Sequence, residues 1–107
     1  MNRAEFKAFL DQEHRAICNI NDCKGHDYAG DVDAFKNFKS IAERVGVTPF
    51  QVWAVYALKH WDSVLTFVRE GDVASEPIEG RLHDIILYSY LLLGMLEEID
   101  MADLALP

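Results

Sequence analysis

Two ionisable residues, His83 and Asp84, stand immediately before the longest apolar run of the chain, which extends from Ile85 to Leu96. A carboxylate beside a buried helix core costs free energy unless a partner compensates its charge. We therefore take Asp84 as the first candidate for a catalytic or binding group. The question that follows is which other residues the fold would bring to it.

The segment that carries Asp84 is predicted to form a helix over residues 76–99. One side of this helix, at spacings of three and four residues, carries Glu76, Gly80, Asp84, Tyr88 and Leu91. Glu79 is a poorer partner for Asp84, because five residues correspond to about 140° round a helix. Glu76 and Asp84 are candidate ligands of a hard cation such as Mg²⁺, which prefers oxygen donors. Tyr88, on the same side, is a candidate ligand-binding residue.

A further carboxylate interrupts the apolar side of the first predicted helix, residues 2–21. The apolar positions at i, i+4, i+11 and i+14 are Phe6, Leu10, Ile17 and Ile20. Glu13 occupies the position that is missing from this series. Two interpretations stay open: Glu13 lies at the edge of the stripe and reaches water or a lysine, or it points into the bundle as a catalytic group and metal ligand beside Asp84.

The chain from Asp22 to Asp31 contains two glycines and several charges, which predicts a loop. Its candidate ligand-binding residues are Lys24, His26, Asp27 and Tyr28. Lysine and histidine suit a phosphate group, glycines allow the backbone to fold round an anion, and a tyrosine ring can stack on a base. The alternative is a solvated linker in which Asp31 or Asp33 caps the next helix.

Two middle helices are predicted at residues 32–45 and 49–70. The first ends at Gly46, and its Asn37 faces either water or a pocket. The second begins with a capping box, in which Thr48 is the cap, proline follows, and Gln51 completes the pair; it ends before a glycine.

On the helix at 49–70, Lys59 is a candidate phosphate ligand. The alternative is a surface lysine whose stem lies over apolar residues. His60 falls in the helical series of apolar residues, and we interpret it as a histidine satisfied inside the core. Trp53 is a second candidate, after Tyr28, for stacking on a base.

Composition indicates one all-α domain over residues 1–107, built as a four-helix-bundle-like fold with the last helix at its centre. Half of the residues are hydrophobic, which disfavours disorder. The run 85–96 is apolar all round, so the last helix should be buried all round. Three other helices cover such a helix only partly, and we therefore expect a homo-oligomer whose interface is the uncovered face.

The formal net charge of -8 disfavours a nucleic acid polymer or an anionic membrane as a partner. It is compatible with a small nucleotide held by a few local cations or a metal. The first residues lack a following apolar segment, so we expect no signal peptide. Cys18 and Cys23, with no second pair, predict free thiols and a cytoplasmic location.

Several of these candidates form a pattern that resembles a family of small phage and prophage proteins, the nucleotide-modification-associated domain of the first type. The resemblance spans roughly residues 13–93 and rests on Lys24-Gly25-His26-Asp27-Tyr28, Phe35-Lys36-Asn37-Phe38, Lys59, Glu76-Pro77-Ile78-Glu79, Asp84 and Tyr88. It implies a role in phage nucleotide metabolism, inside a bacterial host cell.

The chain is more loosely similar to the all-α nucleoside triphosphate pyrophosphohydrolases of the MazG and dimeric dUTPase kind. That resemblance implies Mg²⁺ held by carboxylates from two helices, a part that Glu13, Glu76 and Asp84 would play here. Three hypotheses follow: a metal-dependent nucleotide hydrolase, a nucleotide-sequestering protein without catalysis, and a structural protein in which the same charges pair across the bundle.

Overall fold

The computed structural model describes residues 1–30, 32–71 and 77–99, apart from the side chains of Tyr28 and Ala29. All of the regular structure in these ranges is helical. The helices are α1 (Arg3–Ile20), a π-helical turn (Asn21–Gly25), α2 (His26–Ala29), α3 (Lys36–Val45), α4 (Pro49–Glu70) and α5 (Ile78–Glu98). The predicted all-α, bundle-like fold is confirmed.

The helix α1 nearly matches the predicted helix at 2–21, but the helical segment that it begins extends further than the sequence predicts. Its start is capped by Asn2, whose side-chain oxygen accepts a hydrogen bond from the Glu5 N–H at 2.8 Å. At the other end, the helical backbone continues through the π turn into α2, so the loop prediction is wrong from Asp22 to Ala29. Gly25 adopts ordinary helical angles there. Local propensity is a weak guide at such a position, because packing against other helices overrides it.

The helix α3 begins later than predicted, at Lys36 instead of residue 32. Asp33 explains the delay, since its carboxylate accepts hydrogen bonds from the Phe35 N–H at 2.9 Å and from Lys39 Nζ at 2.8 Å. These two bonds, with that of Lys39 the stronger, lower the pKa of Asp33. The helix ends at Gly46 in the left-handed conformation, where the sequence predicted its C-terminal cap.

The helix α4 has the bounds and the cap that the sequence predicts. The Gln51 N–H donates to Thr48 Oγ1 at 3.1 Å, and the Thr48 N–H donates to Gln51 Oε1 at 2.8 Å. This capping box gives hydrogen-bond acceptors to two backbone N–H groups at the start of a 22-residue helix. Gly71, with a positive φ, ends the helix.

Replacing Thr48 by alanine should lower the free energy of unfolding by about 1 kcal/mol, since an N-cap side chain contributes roughly that much. Urea denaturation of the variant and the parent measures the loss. The matched control is Thr66→Ala in the same helix, because the exposed Thr66 hydroxyl donates back to the Asp62 carbonyl at 3.0 Å, accepts a long bond from Arg69 at 3.5 Å and caps no helix end. An equal loss in the two variants would contradict the assignment of Thr48 as a stabilising cap.

The core lies where α3, α4 and α5 meet. Its buried cluster consists of Phe38, Ala42, Val52 and Met95. Two contacts fix the position of α5 against its neighbours. The Trp53 indole N–H donates to the Tyr88 carbonyl at 2.8 Å, and Gly94 lies under the ring of Phe35. Because Trp53 makes this helix-to-helix bond, its indole nitrogen is already used for structure.

The helix α5 packs against α1 and α4 but is not buried all round by this single chain. Leu82, Ile86, Tyr90 and Leu93 remain 41–62% exposed, so the single chain covers this helix only partly, as the sequence predicts. Glu76, the first residue of the helix predicted at 76–99, lies outside the described residues. Within the described part of the chain, no helix is long and apolar enough to cross a membrane.

Candidate functional site

A cleft of about 820 Å³ opens between the first helical segment and the three helices that form the core. Its volume lies within the range of small-molecule sites, roughly 300–1,000 Å³. The residues that line it come from the π turn, α2, α3, α4 and α5 and from the segment between α2 and α3. They are Asn21, Asp22, Lys24, Gly25, His26, Gly30, Ala34, Asn37, Phe38, Tyr56, His60, Asp84, Leu87, Tyr88 and Leu91. The cleft therefore exists only when these segments pack together.

Asp84 lies at the polar centre of the cleft, with its side chain only 16% exposed. Lys24 Nζ is 3.7 Å from one carboxylate oxygen, and His60 Nδ1 is 3.7 Å from the other. The three residues come from the π turn, α4 and α5, so they join three separate parts of the chain. The pairing compensates the half-buried carboxylate and gives the cleft a polar centre.

Aromatic rings form one wall beside this polar centre. The Tyr88 ring lies 5.1 Å from the His60 ring and 6.0 Å from the Phe38 ring, measured between centroids. Tyr56 contacts Phe38 edge-to-face at 6.5 Å. These contacts hold the rings in fixed orientations, so the wall offers an apolar surface to a planar ligand.

Amide side chains supply the remaining polar groups of the cleft. Asn21 lies at the start of the π turn and Asn37 in the first turn of α3. An amide presents both a donor and an acceptor, which suits the edge of a heterocyclic base. Of the two environments that the sequence left open for Asn37, the structure places it at the cleft.

The structure thus brings five of the sequence-predicted candidates to one cavity: Lys24, His26, Asn37, Asp84 and Tyr88. Asp27 and Lys59 are exposed and do not line it. The Tyr28 side chain and Glu76 lie outside what the structure describes. The roles of all these residues stay predictions.

Glu13 is separated from this cluster. Its carboxylate is hydrogen-bonded to His83 Nε2, and this pair joins α1 to α5 outside the cleft. Of the interpretations that the sequence left open for Glu13, this position is nearest to a charge paired at the edge of the apolar stripe. His83 and Asp84 are adjacent in sequence but point to different partners, because neighbouring residues differ by about 100° round a helix.

Four polar or aromatic residues of the cleft escaped the sequence reasoning: Asn21, Asp22, Tyr56 and His60. His60 and Tyr56 are one helical turn apart on the inward side of α4, which is a detectable spacing. His60 was interpreted as a core residue because a histidine in an apolar helical series can either lie in the core or belong to a polar site. Its partner Asp84 comes from another helix, so only the packing distinguishes the two.

Among the described residues, no group of three or more histidine, cysteine, aspartate or glutamate side chains is arranged to hold a metal ion. The oxygen donors that the cleft offers to a hard cation are the carboxylates of Asp22 and Asp84 and the amides of Asn21 and Asn37. Two of the predicted Mg²⁺ ligands, Glu13 and Asp84, lie among the described residues, and of these only Asp84 lines the cleft. Glu13 is hydrogen-bonded to His83 instead. The magnesium site stays a prediction.

Comparison of the chain with family models, with curated proteins and with solved structures finds no match.

Proposed function

We propose that the chain binds a nucleotide, or a small molecule derived from one, in the cleft centred on Asp84. The observation that carries this proposal is the convergence of Lys24 and His60 on Asp84 beside the wall that contains Tyr88. A nucleotide needs both kinds of surface, because its phosphates are polar and charged while its base is flat and largely apolar.

The cationic side chains of the cleft suit the phosphate end. Lys24 is 56% exposed, so its ammonium group can turn from Asp84 towards an anionic group while His60 stays beside the carboxylate. His26 is two residues further along the chain and lines the same cavity. Both residues lie near the end of the first helical segment and line one cavity, so a phosphate bound there could be held by both side chains.

The aromatic wall and the amides suit the base. In this arrangement the base lies against Tyr88, and the side chain of Asn37 or Asn21 bonds to its polar edge. Stacking of a base on an aromatic side chain contributes about 1–3 kcal/mol. The fixed rings of Tyr56 and Phe38 behind Tyr88 keep that surface in place.

Binding without hydrolysis is the version that the geometry favours. Hydrolysis of the predicted kind needs several carboxylates round one Mg²⁺, and Glu13 is engaged with His83 away from the cleft. A sequestering protein needs only the cleft. The resemblance to the phage nucleotide-modification-associated domain is consistent with such a role, and we include in the proposal a phage-type protein that acts in the bacterial cytoplasm and associates with itself.

Isothermal titration calorimetry with a panel of nucleoside mono-, di- and triphosphates tests the proposal, with and without Mg²⁺. A bound nucleotide present at 100 times its dissociation constant should also raise stability by about 2.7 kcal/mol, visible as a thermal shift. Pyrophosphate release in the same samples, abolished by Asp84→Asn, would favour the hydrolase. Absence of binding by every member of the panel would leave the structural hypothesis, in which Asp84 only pairs with Lys24 and His60.

Two lysines give a matched test of the site. Lys24→Ala should weaken nucleotide binding roughly ten-fold, because a hydrogen bond to a charged group contributes about 1.5 kcal/mol. Lys59→Ala should leave the dissociation constant unchanged, since Lys59 is exposed outside the cleft. Calorimetry on both variants measures the two effects. A larger loss with Lys59→Ala than with Lys24→Ala would place the phosphate elsewhere.

A further inference from the structure

We propose that the outer face of the α4–α5 hairpin is a symmetric interface with a second copy of this chain. We call it the hairpin face and define it by seven apolar residues, Leu58, Trp61, Leu65 and Val68 on α4 and Leu82, Ile86 and Leu93 on α5. Each of them is between 41% and 72% exposed in the single chain. The proposal goes beyond nucleotide binding, since it concerns a surface on the opposite side of the hairpin.

The α4 half of the hairpin face has the spacing of a helix-packing seam. Leu58, Trp61, Leu65 and Val68 follow one another at intervals of three, four and three residues. Such a 3–4–3 series repeats every seven residues and produces a narrow apolar stripe along one side of a helix. Since these residues are exposed, the partner that this stripe fits is absent from the described part of the chain.

The α5 half has the same kind of spacing. Leu82, Ile86, Ser89 and Leu93 follow at intervals of four, three and four residues, with the small Ser89 as the only polar member. Leu82, Ile86 and Leu93 lie between about 160° and 200° round the helix from Asp84. The face that they form therefore looks away from the cleft.

The two stripes belong to neighbouring helices and form one surface. The helices α4 and α5 are the most extensively packed pair in the fold, and a short connection makes them antiparallel. On α4, Leu58 and Leu65 lie about 160° and 140° from His60, which lines the cleft. Trp61 and Val68 lie about 100° and 80° from His60, so the α4 stripe extends from the side opposite the cleft onto the flank of the helix, while the α5 stripe lies opposite the cleft.

The area of the hairpin face matches what a stable dimer requires. From the exposed fractions, the seven residues present on the order of 700 Å² of apolar surface per chain, close to the roughly 800 Å² per partner of a standard interface. The largest apolar patch on a typical monomer is about 300–600 Å². A patch of this size is therefore an interaction surface.

A second copy is the occupant that fits this surface. Two antiparallel helices with seven-residue stripes complement the same hairpin turned by a two-fold axis, which gives a four-helix core across the interface. The chain carries a net charge of -8, so an anionic membrane or a nucleic acid is a poor partner. Trp61 near the middle of the α4 stripe is the kind of residue that dominates such interfaces.

Sedimentation velocity over a range of protein concentrations tests the proposal. The parent chain should sediment at twice the monomer mass of 12.2 kDa. Leu58→Asp on α4 and Leu93→Asp on α5 should each raise the dimer dissociation constant by roughly 30-fold or more, because each new charge occurs twice across a two-fold axis. Val45→Asp, an exposed apolar position on α3, should leave the dimer intact.

Phe6→Asp separates this interface from the other uncovered apolar surface, the start of α1, where Phe6 and Leu10 are about half exposed. A parent chain that is monomeric at every concentration would overturn the proposal. So would a dimer that Phe6→Asp dissociates while Leu58→Asp and Leu93→Asp do not. Because the hairpin face lies opposite the cleft, a monomeric variant that still binds nucleotide supports both proposals independently.

Tryptophan fluorescence tests the interface without a disruptive variant. Trp61 is 48% exposed in the single chain and should enter an apolar environment when the dimer forms. Its emission should therefore shift to shorter wavelength as the protein concentration rises, and Trp61→Phe should remove that shift. A concentration series with dimer formation but no shift from Trp61 would place the interface elsewhere.

Discussion

Replacing Phe38 by alanine is expected to lower the free energy of unfolding by about 3–5 kcal/mol, the usual cost of removing a buried phenylalanine ring. Phe38 is 5% exposed and belongs to the central buried cluster. Its ring makes edge-to-face contacts with Tyr56 and Tyr88, so its loss also removes support from the aromatic wall of the cleft. A native domain is stable by only about 5–15 kcal/mol, and the variant should be close to unfolding.

The matched control for this prediction is Phe6→Ala. The substitution is identical, but Phe6 is 49% exposed and contacts mainly the neighbouring ring of Phe9. A surface substitution of this kind changes stability by no more than about 0.5 kcal/mol. Urea denaturation at low protein concentration measures both effects. The dependence of the free energy of unfolding on urea concentration should be the same in the variants and the parent. Equal losses would mean that the core does not lie at the junction of α3, α4 and α5.

Replacing Gly94 by alanine tests how closely α5 approaches Phe35. A Cβ atom at Gly94 would lie 2.7 Å from Phe35 Cζ and 3.2 Å from Cε1, closer than real Cβ contacts. The added methyl group must displace the ring, and such overpacking costs about 1–3 kcal/mol. Alanine gains up to about 1 kcal/mol over glycine from helix propensity, so the net change should be destabilising or near zero.

Gly80 in the same helix provides the control for Gly94. No described atom lies within 4 Å of a Cβ placed there, so Gly80→Ala should keep the propensity gain without the collision. The two variants should differ in free energy of unfolding by about 1–3 kcal/mol, with Gly80→Ala the more stable. If Gly94→Ala is as stable as Gly80→Ala or more stable, Phe35 does not pack on α5 as described. The double variant Phe35→Leu with Gly94→Ala should recover part of the loss.

Those parts of the fold that depend on neighbouring residues were predictable from the sequence. The start of α4 is an example, because the cap of Thr48 and Gln51 is a local arrangement of four residues. The end of α3 at Gly46 is another. The continuation of the first helix through the π turn was not predictable, since glycines and charges there are typical of a loop. Their helical conformation depends on packing between distant segments.

The candidate site divides in the same way. Asp84 and Tyr88 share a side of one helix, so their common position follows from spacing alone. The positions of Glu13 and Lys59 could not be predicted, because the sequence does not show which face of each helix packs against which neighbour. Glu13 meets His83 instead of Asp84, and Lys59 stays outside, while the unexpected His60 reaches Asp84. One hundred degrees of rotation on α4 decides between Lys59 and His60.

The most direct measurement of the central claim is a nucleotide titration followed by amide and side-chain NMR of the labelled protein. If the cleft is the binding site, the largest shifts should fall on Lys24, His60 and Tyr88, with small ones at Lys59 and none on the hairpin face at Leu58. Shifts that cluster outside the cleft, or the absence of any shift at saturating concentrations across the nucleotide panel, would contradict the claim that this cavity is a nucleotide site.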